Sequence, residues 1–190
     1  MEPIRRDALV KAAIAEIGAA GSLDVTVSRI ARRAGVSSAL AHHYFGAKDQ
    51  LFLAAMRHVL GEFAAEVRRR LRPADGPRAR VAAIIEASFA EANFRPDTVA
   101  AWLNFYVLAQ SDDAAQRLLR VYQRRLRSNL LAGLRPMLGA RAPAVAEGLG
   151  ALIDGVYIRQ ALAGASLDPA EAVALALGYL DMECHRAGGR

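Results

Sequence analysis

The stretch Val25–Leu51, VTVSRIARRAGVSSALAHHYFGAKDQL, decides the fold. Thr26 is an N-cap candidate for a short amphipathic run, Val27 to Ala34, with Ile30 and Ala31 inward and Arg29, Arg32 and Arg33 outward. Gly35 supplies the backbone freedom a tight turn needs after a helix end, and Val36 is placed to plug the corner. Ser37 or Ser38 caps a second short helix carrying Leu40, His42, His43 and Tyr44. Two short helices joined by a glycine turn fit the DNA-reading helix-turn-helix, whose second helix enters the major groove.

Working outward, almost every periodic segment reads as helix. Leu9, Ala13 and Ile17 recur at i+4 and predict a first helix from about Arg5 to Ala19, stopped at Gly21. Lys48 to Leu71 reads as one long helix with the apolar stripe Phe52, Met56, Val59, Phe63 and Val67. It closes on Arg68, Arg69, Arg70 and Arg72, which suit the negative end of the helix dipole. Further helices are expected over Arg78–Ala92, Asp97–Gln110, Ser111 (as cap) to about Leu134 with Pro136 ending or kinking it, Pro143–Ala163 and Pro169 to about Arg186. No alternating pattern lasts long enough for a strand. The expected class is all-α, about nine helices in all: a three-helix helix-turn-helix domain over 1–55, then a second helical domain over 56–190.

The 190 residues are 54% hydrophobic, 6% aromatic and 23% charged, a composition able to bury a core. The net charge of +6 favours a polyanionic partner, although the wealth of Arg and Ala also fits a GC-rich coding bias, so charge placement counts for more than the total. The single cysteine, Cys184, excludes an internal disulfide and a cysteine-based zinc site and is compatible with a reducing cytoplasm. Arg5, Arg6, Asp7, Lys11 and Glu16 leave no signal-peptide core at the start. No apolar run approaches the roughly 20 residues a membrane span needs. No nucleophile–base pair or metal cluster stands at useful spacing; a non-enzymatic, cytoplasmic protein without cofactor or metal is expected.

"IARRAGVS", then "HYF" and "AKDQLF", resembles the N-terminal domain of TetR-family transcriptional repressors, over about Arg5 to Val59. Tyr44-Phe45, Gly46, and Lys48 opening a long helix make the match dense. "AAWLNFYVLAQ" (Ala100–Gln110) and "ALIDGVYIRQALAG" (Ala151–Gly164) resemble the ligand and dimer domain of the BetI-type branch. That branch controls uptake and oxidation of choline to glycine betaine. The resemblance implies that the second domain, 56–190, is for ligand binding and dimerisation, and it implies a homodimer on double-stranded operator DNA and a choline or betaine aldehyde effector. The last two helices, Val145 to Ala163 and Pro169 to Arg186, are long and rich in small and apolar residues, which suits a dimer interface or else burial within the monomer. Ligand would tilt the Lys48–Leu71 helix and lower DNA affinity. The chain starts at MEPIRR, a few residues later than the branch implies, so a preceding basic arm is expected to be shortened, with Arg5 and Arg6 remaining.

The candidate DNA contacts are Thr26, Arg29, Ser37, Ser38, Ala39, His42, His43, Tyr44 and Lys48. Ser38 and Ala39 open the reading helix and, being small, permit close approach to bases. Tyr44 can donate to a phosphate oxygen; Lys48 stands at a helix N-terminus, which also attracts phosphate. His42 and His43 point about 100° apart on a helix, a poor arrangement for one metal. Arg29, Arg32 and Arg33 either clamp phosphates or form a solvated face. The candidate effector residues are Phe89, Trp102, Phe105, Tyr106, Asp154 and Tyr157. Trp102, Phe105 and Tyr106 share a helix face; Asp154 and Tyr157 sit three apart on an otherwise apolar helix, where a carboxylate needs a partner, either a cationic ligand or an arginine. Aromatic rings beside a carboxylate suit a quaternary ammonium, yet such stripes also form ordinary cores. A rival reading is a sensor of lipophilic compounds controlling an efflux or catabolic operon, which would not need Asp154.

Overall fold

The structure, a computed structural model, describes residues 2–162 and 168–188. Every regular element among them is helical: α1 (Glu2–Ala20), α2 (Val27–Arg33), α3 (Ser38–Phe45), α4 (Lys48–Leu71), α5 (Gly76–Ser88), α6 (Pro96–Leu108), α7 (Asp113–Leu138), a 3-10 turn at Gly139–Arg141, α8 (Ala142–Leu162) and α9 (Pro169–Gly188). The all-α expectation holds. Ala163 and Gly164, which close the expected eighth helix and the second C-terminal motif, lie outside the described residues.

Several boundaries differ from expectation by one to four residues, and three of them have a visible physical reason. The helix expected to reach Ala92 stops at Ser88, and the chain turns back through Asn93 N–H and Phe94 N–H, both donating to the Ala90 carbonyl at 2.8 and 2.9 Å. Side chains claim the helix end: Asn93 Nδ2 donates to the Ala87 carbonyl at 2.9 Å and the Tyr157 hydroxyl to that of Ser88. The cap of α7 is Asp112 rather than Ser111, its Oδ1 accepting from Ala115 N–H at 2.6 Å. A carboxylate is a stronger acceptor than a hydroxyl for the unpaired N–H groups of a first turn. Pro136 does not end α7, which continues to Leu138. The carbonyl it leaves without a donor belongs to Ala132, at an exposed position where water can serve it.

The described chain divides into two compact units. The first comprises Met1–Gly61 and Arg95–Leu118. Its centre is the inward face of α1, where Leu9, Ala13 and Ile17 are almost wholly buried at the spacing read from the sequence. Ile30 and Ala31 of α2, Ala41 of α3, and Leu51, Phe52 and Ala55 of α4 are buried in the same unit. Each large apolar side chain so buried contributes about 1.5–3 kcal/mol. α6 lies so close to α1 that a Cβ on Gly18 would stand 2.5 Å from Asp97 Cβ and 2.6 Å from its Cα.

The second unit comprises Glu62–Phe94 and Leu119–Arg190. Val81, Ile84 and Ile85 of α5, Leu126, Leu130 and Leu134 of α7, Leu149 and Ile153 of α8, and Ala172, Ala176 and Leu180 of α9 are buried there. The four-residue spacing of the α9 set gives it a narrow, small-residue inner stripe. Arg141 pairs with the buried carboxylate of Glu183.

Two glycines in helices should answer oppositely to alanine. Gly18→Ala forces α1 and α6 apart and should lower stability by about 1–3 kcal/mol, the usual effect of overpacking. Gly61→Ala, where nothing lies within 4 Å, should raise it by up to about 1 kcal/mol through helix propensity. Urea denaturation of the two variants checks both signs.

Candidate DNA-reading head and effector cleft

The head is built from its caps inward. Thr26 adopts an extended backbone and its Oγ1 accepts from Arg29 N–H at 3.2 Å, starting α2. Gly35, at φ +69°, turns the chain in the left-handed region that favours glycine, and Val36 N–H returns to the Ala31 carbonyl at 3.0 Å. Ser37, not Ser38, caps α3, accepting from Leu40 N–H at 3.2 Å. The Ser38 hydroxyl instead donates to Ser28 Oγ at 3.1 Å, tying the start of α3 to α2.

On α3, Ala41 is buried while Ala39, His42 and His43 are exposed. His42 Nδ1 lies 2.9 Å from the Gly46 carbonyl, so this nitrogen carries the proton and donates. The Tyr44 ring is tilted against that of His43, centroids 5.6 Å apart. Lys48, opening α4, holds its ammonium 5.4 Å from the Phe52 ring centre, one turn along the same helix. The structure thus gathers Ser38, Ala39, His42, His43, Tyr44 and Lys48 on and just after one short helix. Among the described residues no cluster of three or more His, Cys, Asp or Glu could hold a metal.

Arg29 has a different neighbour from the phosphate considered above. Its Nη2 lies 2.8 Å from Glu16 Oε2, and Arg33 Nη1 donates to Glu16 Oε1 at 2.9 Å. Glu16 projects from α1 and is only 7% exposed. Its carboxyl is held below the usual value of 4.5, chiefly by the Arg33 hydrogen bond, against opposing burial and with help from the Arg29 charge. Since the folded value is the lower one, this contribution to stability is complete above 4.5 and is lost as pH falls through the folded value. Arg6, also on α1, donates from Nη1 to the Tyr44 carbonyl at 3.2 Å and stacks its guanidinium 4.7 Å from the Phe45 ring centre. Neither Glu16 nor Arg6 was singled out from sequence as an anchor of the head.

The six candidate effector residues fall into two groups, one in each compact unit. In the first, Trp102 and Phe105 of α6 are buried with ring centroids 6.1 Å apart, and Tyr106 is tilted over Trp102 at 5.7 Å. Asn104 beside them donates to the Ala100 carbonyl at 2.9 Å. In the second, Phe89, Phe94 and Tyr157 form a buried triad with centroids 5.5–6.0 Å apart. The Tyr157 hydroxyl is directed at the Ser88 carbonyl and, at 3.2 Å, at that of Asn93, so its polar end holds the turn after α5.

Asp154 faces a cleft of about 400 Å³ between α7 and α8, lined also by Tyr122, Leu126, Leu130, Glu147 and Gly150. Burial first, and then the Asp154 charge, push the Tyr122 and Tyr157 phenols well above their usual range, so both stay protonated at neutral pH. Glu147, on the same wall, is paired with Arg127 at 2.5 Å. Tyr122, which meets Phe63 edge-on at 5.9 Å, had not been marked as a candidate. The cleft thus offers a carboxylate, Asp154, and one protonated phenol, Tyr122, on a wall of mixed polar and apolar residues, a volume and chemistry that suit a small organic cation.

A helical protein with this head is a helix-turn-helix DNA-binding regulator. Residues 9–55 match the family of bacterial regulatory proteins of the tetR type, and residues 77–185 match the C-terminal domain of BetI-type transcriptional repressors. The HTH-type transcriptional regulator BetI of Brucella suis biovar 1 (strain 1330) is 53% identical over 184 residues, 96% of this chain and 93% of that one. Its counterpart in Rhizobium meliloti (strain 1021) is 51% identical over 190 residues, covering 100% and 93%. Among solved structures, a transcriptional regulator from Pseudomonas aeruginosa PAO1 superposes with a TM-score of 0.82 at 28% identity, covering 98% and 95%. A regulator from Saccharomonospora viridis, solved in complex with choline, shares the fold with a TM-score of 0.79 at 19% identity, covering 93% and 95%. The chain belongs to the TetR family, in its branch of BetI-type transcriptional repressors.

Thr26→Ala and Ser37→Ala each remove a capping acceptor and should lower stability by about 1 kcal/mol, with Thr26→Ser restoring most of the loss. Guanidinium denaturation of the four proteins tests this, and equal midpoints would mean the caps are idle.

Proposed function

We propose that this repressor sets its two-fold reading heads on an operator and is governed by a quaternary-ammonium effector, choline or betaine aldehyde, so controlling genes for choline uptake or glycine betaine synthesis. The observation that carries the effector half is Asp154, placed in the α7–α8 cleft together with the Tyr122 phenol, which stays protonated. A quaternary ammonium offers charge and methyl groups but no hydrogen-bond donor. It is served by a carboxylate and ring faces rather than by a directed acceptor. The choline complex of the Saccharomonospora viridis regulator concerns a protein of the same fold and fits this reading.

On the DNA side, Ser38, Ala39, His42 and His43 face the bases, and Tyr44 and Lys48 contact phosphates. Thr26 and Ser37 accept from backbone N–H groups, which leaves each hydroxyl proton to donate to a phosphate oxygen. The dimer forms through α8 and α9. Ile158 and Leu162 on α8, and Leu175 and Met182 on α9, are 40–74% exposed at helical spacing, an apolar surface that a second copy would cover. Two-fold pairing matches a palindromic operator.

A single fluorescence-anisotropy experiment on a duplex from the region upstream of the gene tests the whole. Lys48→Ala should flatten the plot of log affinity against log salt by about one unit. Leu175→Arg should yield monomers by light scattering and abolish operator binding, since it buries an unpaired charge. Choline should shift operator affinity in the native protein, with Asp154→Asn weakening the response to choline and sparing a neutral analogue of the same shape. A choline response unchanged in Asp154→Asn would take the cation away from this cleft. No response to choline or betaine aldehyde at millimolar concentration would turn attention to neutral lipophiles.

A further inference from the structure

We propose that Glu16 is a positioning residue that withholds Arg29 and Arg33 from the DNA phosphates, so that preference for operator over other DNA depends on a carboxylate that never touches DNA. The inference rests on the reading that α2 and α3 form the DNA-facing head. Arg29 and Arg33 stand four apart on α2, one above the other on the same helix face, where two like charges repel. The two oxygens of Glu16 separate them, Oε1 taking Arg33 at 2.9 Å and Oε2 taking Arg29 at 2.8 Å.

The three partners are unequally placed. Glu16 is 9% exposed at its side chain, whereas those of Arg29 and Arg33 are 51% and 49% exposed. Arg33 makes the well-aligned hydrogen bond, whereas Arg29 approaches Oε2 at 2.8 Å with poorer alignment. Drawing either arginine off to a phosphate strips a partner from a buried carboxylate, which is strongly unfavourable. Phosphate contacts supply affinity without sequence information. A head with two more mobile guanidiniums would therefore bind every duplex better and discriminate less. The same carboxylate also fixes α2 on α1, and α2 carries Ser28, the partner of Ser38 at the start of α3.

The test is the salt dependence of binding by the native full-length dimer to operator duplex and to a scrambled duplex of equal length. Glu16→Gln should steepen both slopes by about one to two units, because each released arginine adds roughly 0.9, and should reduce the operator-to-scrambled affinity ratio. Adding Arg29→Ala and Arg33→Ala to Glu16→Gln should return the slope to the native value, a rescue that a purely structural role does not produce. In the native background, Arg29→Ala and Arg33→Ala should leave the slopes unchanged. A slope flattened by about one unit in either single variant, or a folded Glu16→Gln with an unchanged or flatter slope, overturns the proposal. If Glu16→Gln does not fold, the two single variants decide alone, unchanged slopes supporting the proposal and a flattened one refuting it. Absence of salt-dependent binding by the native protein to either duplex would instead defeat the DNA-facing reading on which the proposal rests.

Discussion

Two helices of seven and eight residues cannot hold themselves together in water, where helices below roughly 12–15 residues are marginal. The DNA-reading head consists of just such helices, so its existence depends on burial against α1. That helix presents Leu9, Ala13 and Ile17 as an apolar backboard and adds two polar anchors at different heights. Arg6 reaches the carbonyl end of α3, where a cation meets the negative pole of the helix and a ring face together. Glu16, about three turns further along, grips α2. Apolar burial fixes the distance between helices; the anchors fix their rotation. Groove reading demands the second as much as the first, because a rotated α3 would present different side chains to the bases.

What could be read in the sequence was whatever is encoded within a few residues. Thr26, Gly35 and Lys48 fixed the head because caps, turns and helix starts are local grammar, and both ends of α4 fell where expected. The end of α5 could not be read this way. Its carbonyls are claimed by Asn93 and by Tyr157, and the latter, 69 residues away in sequence, lies outside any window around Ala92. The cap of α7 was misplaced by one residue because Ser111 and Asp112 are both good cap letters, and only geometry separates them. Pro136 did not end α7, which runs on to Leu138, because the carbonyl it leaves without a donor lies at an exposed position.

The site residues divide along the same line. The candidates on α3 could be named together because a single short helix carries them. Glu16 carried a signal that went unused: it falls on the Leu9–Ala13–Ile17 stripe, and a charged letter on an apolar stripe announces a buried ion pair. Arg29 and Arg33, outward and basic, suggested phosphate, although the acid that claims them lies in the preceding helix. Tyr122 was hidden for a related reason. It stands among Arg120, Arg124 and Arg125 in a segment that reads as a solvated face, while its ring is buried.

Charge placement, more than charge total, separates a selective regulator from a generic polyanion binder. The chain carries 25 Lys and Arg against 19 Asp and Glu, an excess that alone predicts indiscriminate attraction to DNA. Discrimination then requires that some of the head's cations be held back while small and hydrogen-bonding side chains remain at the bases. The exposed face of α3 meets that condition, with Ser38, Ala39 and His42 and without a lysine or arginine. On the proposed reading, His42, with Nδ1–H committed to the Gly46 carbonyl, meets a base edge through Nε2. On the same reading, Glu16 lowers the affinity every sequence receives, while the side chains on the exposed face of α3 raise what a particular sequence receives. Their ratio, not either alone, is what a repressor needs among a genome's competing sites.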